Sequence, residues 1–224
     1  VGLREGSLLF GRCVEADVSP PYGPWAEIVA AAHAAGMVPP QLWRELPRLV
    51  PALGEPAADA TGSRYDLLAE LEEYLTRAAA TRPLLVALDD MQWADAATWD
   101  ALEYLLGRLD RQRLLICLTI RAEDLRGEGV ERRRRLSRHP RFGELALGRL
   151  TRDDLAQWLK SALGGQPPSA ELLDHVVTFT EGNPLFAVQT LRALVDDGRL
   201  RHDAGSWAFA AAADGIDALP VAVG

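Results

Sequence analysis

The stretch Pro83–Asp95, PLLVALDDMQWAD, constrains this chain more than any other. Five apolar residues in a row, Leu84 to Leu88, run straight into two carboxylates, Asp89 and Asp90. So short a run, without helical periodicity, suits a strand buried on both faces. Ligands of open parallel sheets bind beyond the carboxyl ends of the strands, so acids at that end can hold a cation and a reacting water. The same residues also suit a plain strand followed by a turn, with Asp95 as N-cap of the next helix.

The flanking sequence alternates between strand and helix signals. Ser7 to Val14, SLLFGRCV, predicts a short edge or second strand in which Gly11 permits a close backbone approach or a bulge. Pro24 opens a helix with Trp25, Ile28, Val29 and Ala32 at helical spacing, closed by Gly36. Pro39 to Thr61, rich in Pro and Ala, is loop-like with one helical piece around Leu42 to Leu49. Ser63 and Asp66 resemble a capping box, and Leu67, Leu68, Leu71, Tyr74, Leu75 and Ala78 form one apolar stripe behind it. After Asp95 a helix buries Leu102, Leu105, Leu106 and Leu109, and Arg113 to Ile120, RLLICLTI, predicts the next buried strand. Alternation of this kind predicts a parallel sheet with right-handed crossovers. Phe142 to Leu147, FGELAL, fits one more strand.

The run Arg132 to Arg135 fits a solvated helix face or a mobile loop better than a phosphate patch. From Thr151 the signals are helical only. Thr151 with Asp154 caps a helix burying Leu155, Trp158 and Leu159, which Gly164 to Pro168 closes. A second helix covers Ser169 to Phe179. Asn183 caps a third, with Pro184 at its first position and Leu185, Val188, Leu191, Leu194 and Val195 as its stripe; Gly198 ends it. The segment around Leu200 and Trp207 to Phe209 fits a small hairpin.

With 224 residues, 48% apolar and 25% charged, the chain has ordinary soluble-globular composition and can bury a core. A net charge of -8 and a pI near 5.1 argue against wrapping nucleic acid, which requires a basic face. No apolar run approaches the length of a membrane span, and the first residues lack the pattern of a signal peptide. Cys13 and Cys117 each sit in an apolar run, which suits reduced core residues of a cytoplasmic protein.

Three pieces in order, LLVALDDMQWAD, ICLTIRAED and TEGNPLF, resemble the ATPase module of STAND-class signal-transduction NTPases. The likeness is greatest to large LuxR-type, MalT-like bacterial transcriptional regulators, and GRCVEADVSPPYGPW is similar to the stretch after their P-loop helix. LLVALDD then resembles a Walker B motif, which implies that Asp89 holds Mg²⁺ and that Asp90 orients the water attacking a γ-phosphate. Thr119 to Arg121 resembles the sensor at the end of the fourth strand, with Arg121 on the terminal phosphate, where a guanidinium binds bidentately. Taken alone, Arg121 equally suits a strand cap on the surface. Gly182, Asn183 and Pro184 resemble a GxP motif whose proline packs on adenine, although Asn then Pro begins many helices.

A P-loop, G-x-x-x-x-G-K-[ST], is missing from the sequence, whose only lysine is Lys160 in WLKSALG. The resemblance therefore implies a chain that starts after its P-loop. It implies an α/β fold, a three-layer parallel sheet of P-loop NTPase type with its central first strand missing, followed by a helical lid. The expected divisions are 1–148 for the α/β core, 149–198 for the lid and 199–224 for the start of a winged-helix-like subdomain. ATP and Mg²⁺, only with the upstream P-loop, are the implied cofactors, and other copies or flanking domains the implied partners. The fragment itself is expected to be inactive, without direct nucleic-acid contact. A signalling cyclase or kinase as the attached output, or a degenerate scaffold, stays open.

Overall fold

In the computed structural model, residues 6–15, 20–58, 62–109, 111–203 and 205–210 are described. The chain divides into two compact units, Val1–Glu144 and Leu145–Gly224. The first is built on a parallel sheet of β1 (Ser7–Arg12), β2 (Leu84–Asp89) and β3 (Leu114–Leu118), in that spatial order. The polypeptide passes from β1 to β2 through α1 (Gly23–Ala34) and α2 (Arg64–Thr81), and from β2 to β3 through α3 (Ala96–Leu106).

Local signals place these helices. Pro24 lies in the first turn of α1, and Trp25, Ile28, Val29 and Ala32 are fully buried. Ser63 Oγ accepts from the Asp66 amide at the start of α2, while Leu68, Leu71, Tyr74, Leu75 and Ala78 enter the core. Asp95 caps α3 by accepting from the Thr98 amide at 3.0 Å. Gly11 serves a close approach: a Cβ there would stand 2.3 Å from the Pro24 carbonyl oxygen, so β1 and the start of α1 touch backbone to backbone.

The segment between α1 and α2 has two 3-10 turns, Leu46–Arg48 and Pro51–Leu53. It is pinned by one side chain. Glu70 on α2 accepts from the amides of Arg44 (2.8 Å), Glu45 (2.9 Å) and Leu46 (2.9 Å), which seats Trp43, Leu46 and Val50 in the core. The arginine run lies on α4 (Glu128–Leu136), and ion pairs account for it. Arg132 is largely buried and reaches Asp100 (2.6 Å), Glu103 (3.4 Å) and Glu128 (3.5 Å). Arg133 pairs with Glu144, Arg134 with Glu131 at 2.7 Å and Arg135 with Glu103 at 3.9 Å.

Three expectations are corrected here. Phe142 to Leu147 forms no strand; Phe142 packs on the core while Leu145 and Leu147 are exposed. In the resembled fold a central strand lies between β3 and this segment; among the described residues β3 has a strand partner on its β2 side only, and its outer edge is free. For the same reason β3 is half exposed rather than buried, with Leu115 at 65%. Cys117, on β3, is therefore exposed, whereas Cys13 is buried, and both are free thiols.

The second unit packs α5 (Arg152–Ala162), α6 (Ala170–Thr180) and α7 (Pro184–Asp196) around Leu155, Leu159, Leu163, Leu172, Val176, Ala187 and Leu194. Thr151 and Asp154 form the reciprocal capping box, and Asp154 is held below the usual carboxylate range by the Thr151 hydroxyl and amide. The stripe on α7 is narrower than its spacing suggests: Leu185 and Val195 are exposed, and Ala187 and Leu194 carry the contact. An antiparallel hairpin of β4 (Leu200–Asp203) and β5 (Ser206–Phe209) follows. Of the subdomain expected over 199–224, residues 204 and 211–224 lie outside the described residues.

The Glu70 anchor generates a stability test. Glu70→Ala strips three amides of their acceptor, and a buried donor left unmatched costs ~1–3 kcal/mol. Urea unfolding should register a loss of that size. Glu73→Ala, which removes only the exposed i,i+4 pair with Arg77 at 2.6 Å, should cost no more than about 0.5 kcal/mol.

Candidate functional site

The three parallel strands deliver their last residues to one edge of the sheet. Arg12, the last residue of β1, stands opposite Asp89, the last of β2, in the strand register. Thr119 follows β3 directly, its amide donating to the Leu88 carbonyl at 3.0 Å. At this edge Asp89 has both carboxylate oxygens engaged. Thr119 donates its hydroxyl to Oδ1 at 2.5 Å, and Arg12 donates Nη2 (3.1 Å) and Nε (3.3 Å) to Oδ2. The Thr119 hydroxyl, then the Arg12 guanidinium, hold the Asp89 carboxyl below its ordinary range against the opposing effect of burial, so it is ionised at neutral pH.

Asp90 turns the chain away from the strand with φ 56 and ψ 43, the left-handed region that non-glycine residues enter at a cost. Its amide donates to Thr119 Oγ1 at 2.9 Å, and Gln92 Nε2 donates to its Oδ1 at 3.0 Å. Gln92 Oε1 accepts from the Arg121 amide at 3.0 Å, and Arg121 Nε lies 3.8 Å from Asp90 Oδ1. Met91 fills the core beneath, its amide donating to the Thr119 carbonyl at 2.9 Å.

Asp89, Asp90 and Arg121, singled out from sequence, thus come together. Arg12 and Gln92 join them and were not singled out. Both had a signal: Arg12 ends the strand that pairs with LLVALD, and Gln92 sits inside the DDMQWAD block. Gly182, Asn183 and Pro184 lie in the second unit, at the turn into α7. Asn183 Oδ1 accepts from the amides of Leu185 (2.9 Å) and Phe186 (3.5 Å), and Pro184 is exposed in the first turn. Gly182, at φ 78, has its α-carbon so close to Leu150 that a Cβ would stand 2.3 Å from that carbonyl oxygen.

The family model for the AAA ATPase domain matches residues 3–117, just over half of the chain. The chain belongs to the AAA ATPase domain family. Searches of curated proteins and of solved structures find no match. The matched span of this ATPase domain contains Arg12, Asp89, Asp90 and Gln92 and stops short of Thr119 and Arg121. A nucleotide-binding module of P-loop type follows from the family, and a three-stranded parallel sheet flanked by helices agrees with it.

The donor set at the edge fits Mg²⁺ as ATPases use it. Mg²⁺ favours hard oxygen ligands, keeps several waters, and takes one or two carboxylates together with phosphate oxygens. Asp89 and Asp90 supply two carboxylates, and no group of three or more His, Cys, Asp or Glu residues able to hold a metal occurs among the described residues. Among the described residues no helix is long and apolar enough to cross a membrane.

Beneath this edge Cys13 makes a buried sulfur contact with Met91 at 3.8 Å. Burial, then the charges of Asp95 and Asp90, push its thiol up to about 12. Only the thiolate is nucleophilic. Of the two cysteines in the chain, Cys117 alone should react with an aromatic disulfide reagent near neutral pH in the native state. Cys13 should react only after denaturant is added, and Cys13→Ser should leave the native titre unchanged. Two thiols reacting at one rate in the native protein would contradict the buried placement of Cys13.

Proposed function

We propose that this chain is the catalytic-edge and lid part of an ATP-driven regulatory switch of the STAND type, working with a phosphate-binding loop supplied from outside these 224 residues. The observation that carries the reading is the single hydrogen-bonded cluster of Asp89, Asp90, Gln92, Thr119 and Arg121 at the carboxyl edge of the AAA-family sheet. In this reading Asp89 would hold Mg²⁺. The ion supplies charge neutralisation of the β- and γ-phosphates.

The other roles belong to the chain's own residues. Asp90 accepts a hydrogen bond from the attacking water and so orients it. Gln92 holds the Asp90 carboxylate and, through the Arg121 amide, the base of the arginine. Arg121, 63% exposed, is free to extend towards a terminal phosphate, where its planar fork binds two oxygens. The helices of the second unit act as the lid, with Pro184 against adenine, and lid closure around nucleotide is the switching motion. The exposed edge of β3 takes the strand that carries the phosphate loop. A DNA-binding domain elsewhere in the protein is the proposed output, which makes the whole a transcriptional regulator; a cyclase or kinase in its place would use the same switch.

Two measurements test this. By titration calorimetry, residues 1–224 alone should not bind Mg-ATP, because the loop amides that cradle phosphate are not in the chain; micromolar binding, roughly -8 kcal/mol, would show the site to be elsewhere. In a protein that carries these residues behind a P-loop, Asp90→Asn should preserve nucleotide binding and lower turnover by ~10²- to 10⁴-fold. Hydrolysis at the parent rate would make the acid pair structural and favour the non-hydrolysing scaffold.

A further inference from the structure

The proposed reading assigns tasks to the two acids and to Arg121 but none to Arg12, which makes the closest cationic contact at the edge. Arg12 directs two donors at one oxygen, Asp89 Oδ2, while Thr119 holds Oδ1. The two partners differ in how they can leave. Thr119 is tied in on both sides, donating to Asp89 and accepting from the Asp90 amide, so its departure would break the turn as well. Arg12 is 57% exposed on its side chain, and its backbone amide is fixed independently by Glu27 Oε2 at 2.9 Å. Its guanidinium can therefore swing into water while its main chain stays in the sheet.

We infer that Arg12 is a positioning residue, a built-in counter-cation that occupies Asp89 Oδ2 until a divalent ion takes that oxygen, so that ion binding and Arg12 release are one event. The inference rests on the proposed role of Asp89 as the metal-side carboxylate. An exposed ion pair of this kind is weak and therefore exchangeable. In the resting protein it neutralises Asp89 beside a second carboxylate, Asp90. When the ion arrives, a guanidinium left in place would oppose it, and release relieves that repulsion. Arg12 thus sets how readily the edge accepts an ion.

The test uses Mn²⁺ as the probe, its free concentration read by electron paramagnetic resonance as it is titrated, without nucleotide, into a protein that carries these residues behind a P-loop. Arg12→Gln removes the competing charge, and its affinity for Mn²⁺ should rise about three- to fivefold over the parent, the gain expected from losing a surface pair of up to about 1 kcal/mol. Arg12→Lys keeps a cation at the position and should stay close to the parent. Equal affinity in the parent and Arg12→Gln overturns the inference, and so does an Arg12→Gln chain that binds no Mn²⁺. Asp89→Asn separates the two levels. If it abolishes binding while Arg12→Gln changes nothing, only the role of Arg12 falls; if it binds Mn²⁺ as the parent does, the metal-side assignment of Asp89 falls as well. A second readout follows Arg12 itself: on adding Mg²⁺, the Nε–H resonance missing from Arg12→Gln should shift in the parent as the ion binds, and a resonance that stays in place at saturation overturns the inference.

Discussion

Parallel pairing on both sides of β2 is the constraint on which the site depends. Parallel strands end on the same side of a sheet, so the residues that close β1, β2 and β3 meet without any loop having to carry them there. The register does the rest. It sets Arg12 opposite Asp89 and Leu118 opposite Leu88, which brings Thr119 alongside the acid pair. A shift of one residue between β1 and β2 would exchange the faces of every β1 side chain, moving Leu9 out of the core and Arg12 away from the carboxylate. The tight contact of Gly11 with Pro24 opposes such a shift, because the next position along could not come so near the helix. Core packing and site geometry are thus enforced by one piece of backbone.

Thr119 ties together the two acids and the residue after them through three hydrogen bonds. Its hydroxyl donates to Asp89 and accepts from the Asp90 amide, and its carbonyl accepts from the Met91 amide. These bonds, with the Gln92 amide on Asp90, stabilise a left-handed turn at Asp90 that on its own costs on the order of 1–3 kcal/mol. The burial of Met91 immediately after the turn locks it from below, since the side chain cannot leave the core without exposing apolar surface. The turn is consequently over-determined, which is the condition under which strained backbone persists at a working edge.

What the sequence reveals and what it hides follow from the range of each interaction. Signals that act within one turn of helix were legible: Ser63 and Asp66, Asp95, Thr151 with Asp154, and Asn183 with Pro184 all begin helices where the residues say they do. The apolar run before Asp89 likewise marks β2. Features set by what lies alongside were not legible. Phe142 to Leu147 has strand composition yet pairs with neither free edge of the sheet, and Cys117 sits in an apolar run yet faces out because nothing described covers that side of β3. The partnership of Arg12 with Asp89 spans 77 positions and is written only in the strand register, which no local pattern reports.

The same distinction bears on Gly182, Asn183 and Pro184. At Gly182 the backbone is left-handed and a side chain would strike the Leu150 carbonyl, so glycine is required there by packing within the second unit alone. Asn183 is likewise spent, its carbonyl oxygen accepting the first free amides of α7. Neither residue has to bind a ligand to explain its presence. Pro184 differs. The first turn of a helix accepts many residues, and its ring is exposed, followed by exposed Leu185 and Phe186. Of the three, only Pro184 leaves a side chain that the local fold does not use, and the proposed adenine contact therefore rests on that ring and not on the motif as a whole.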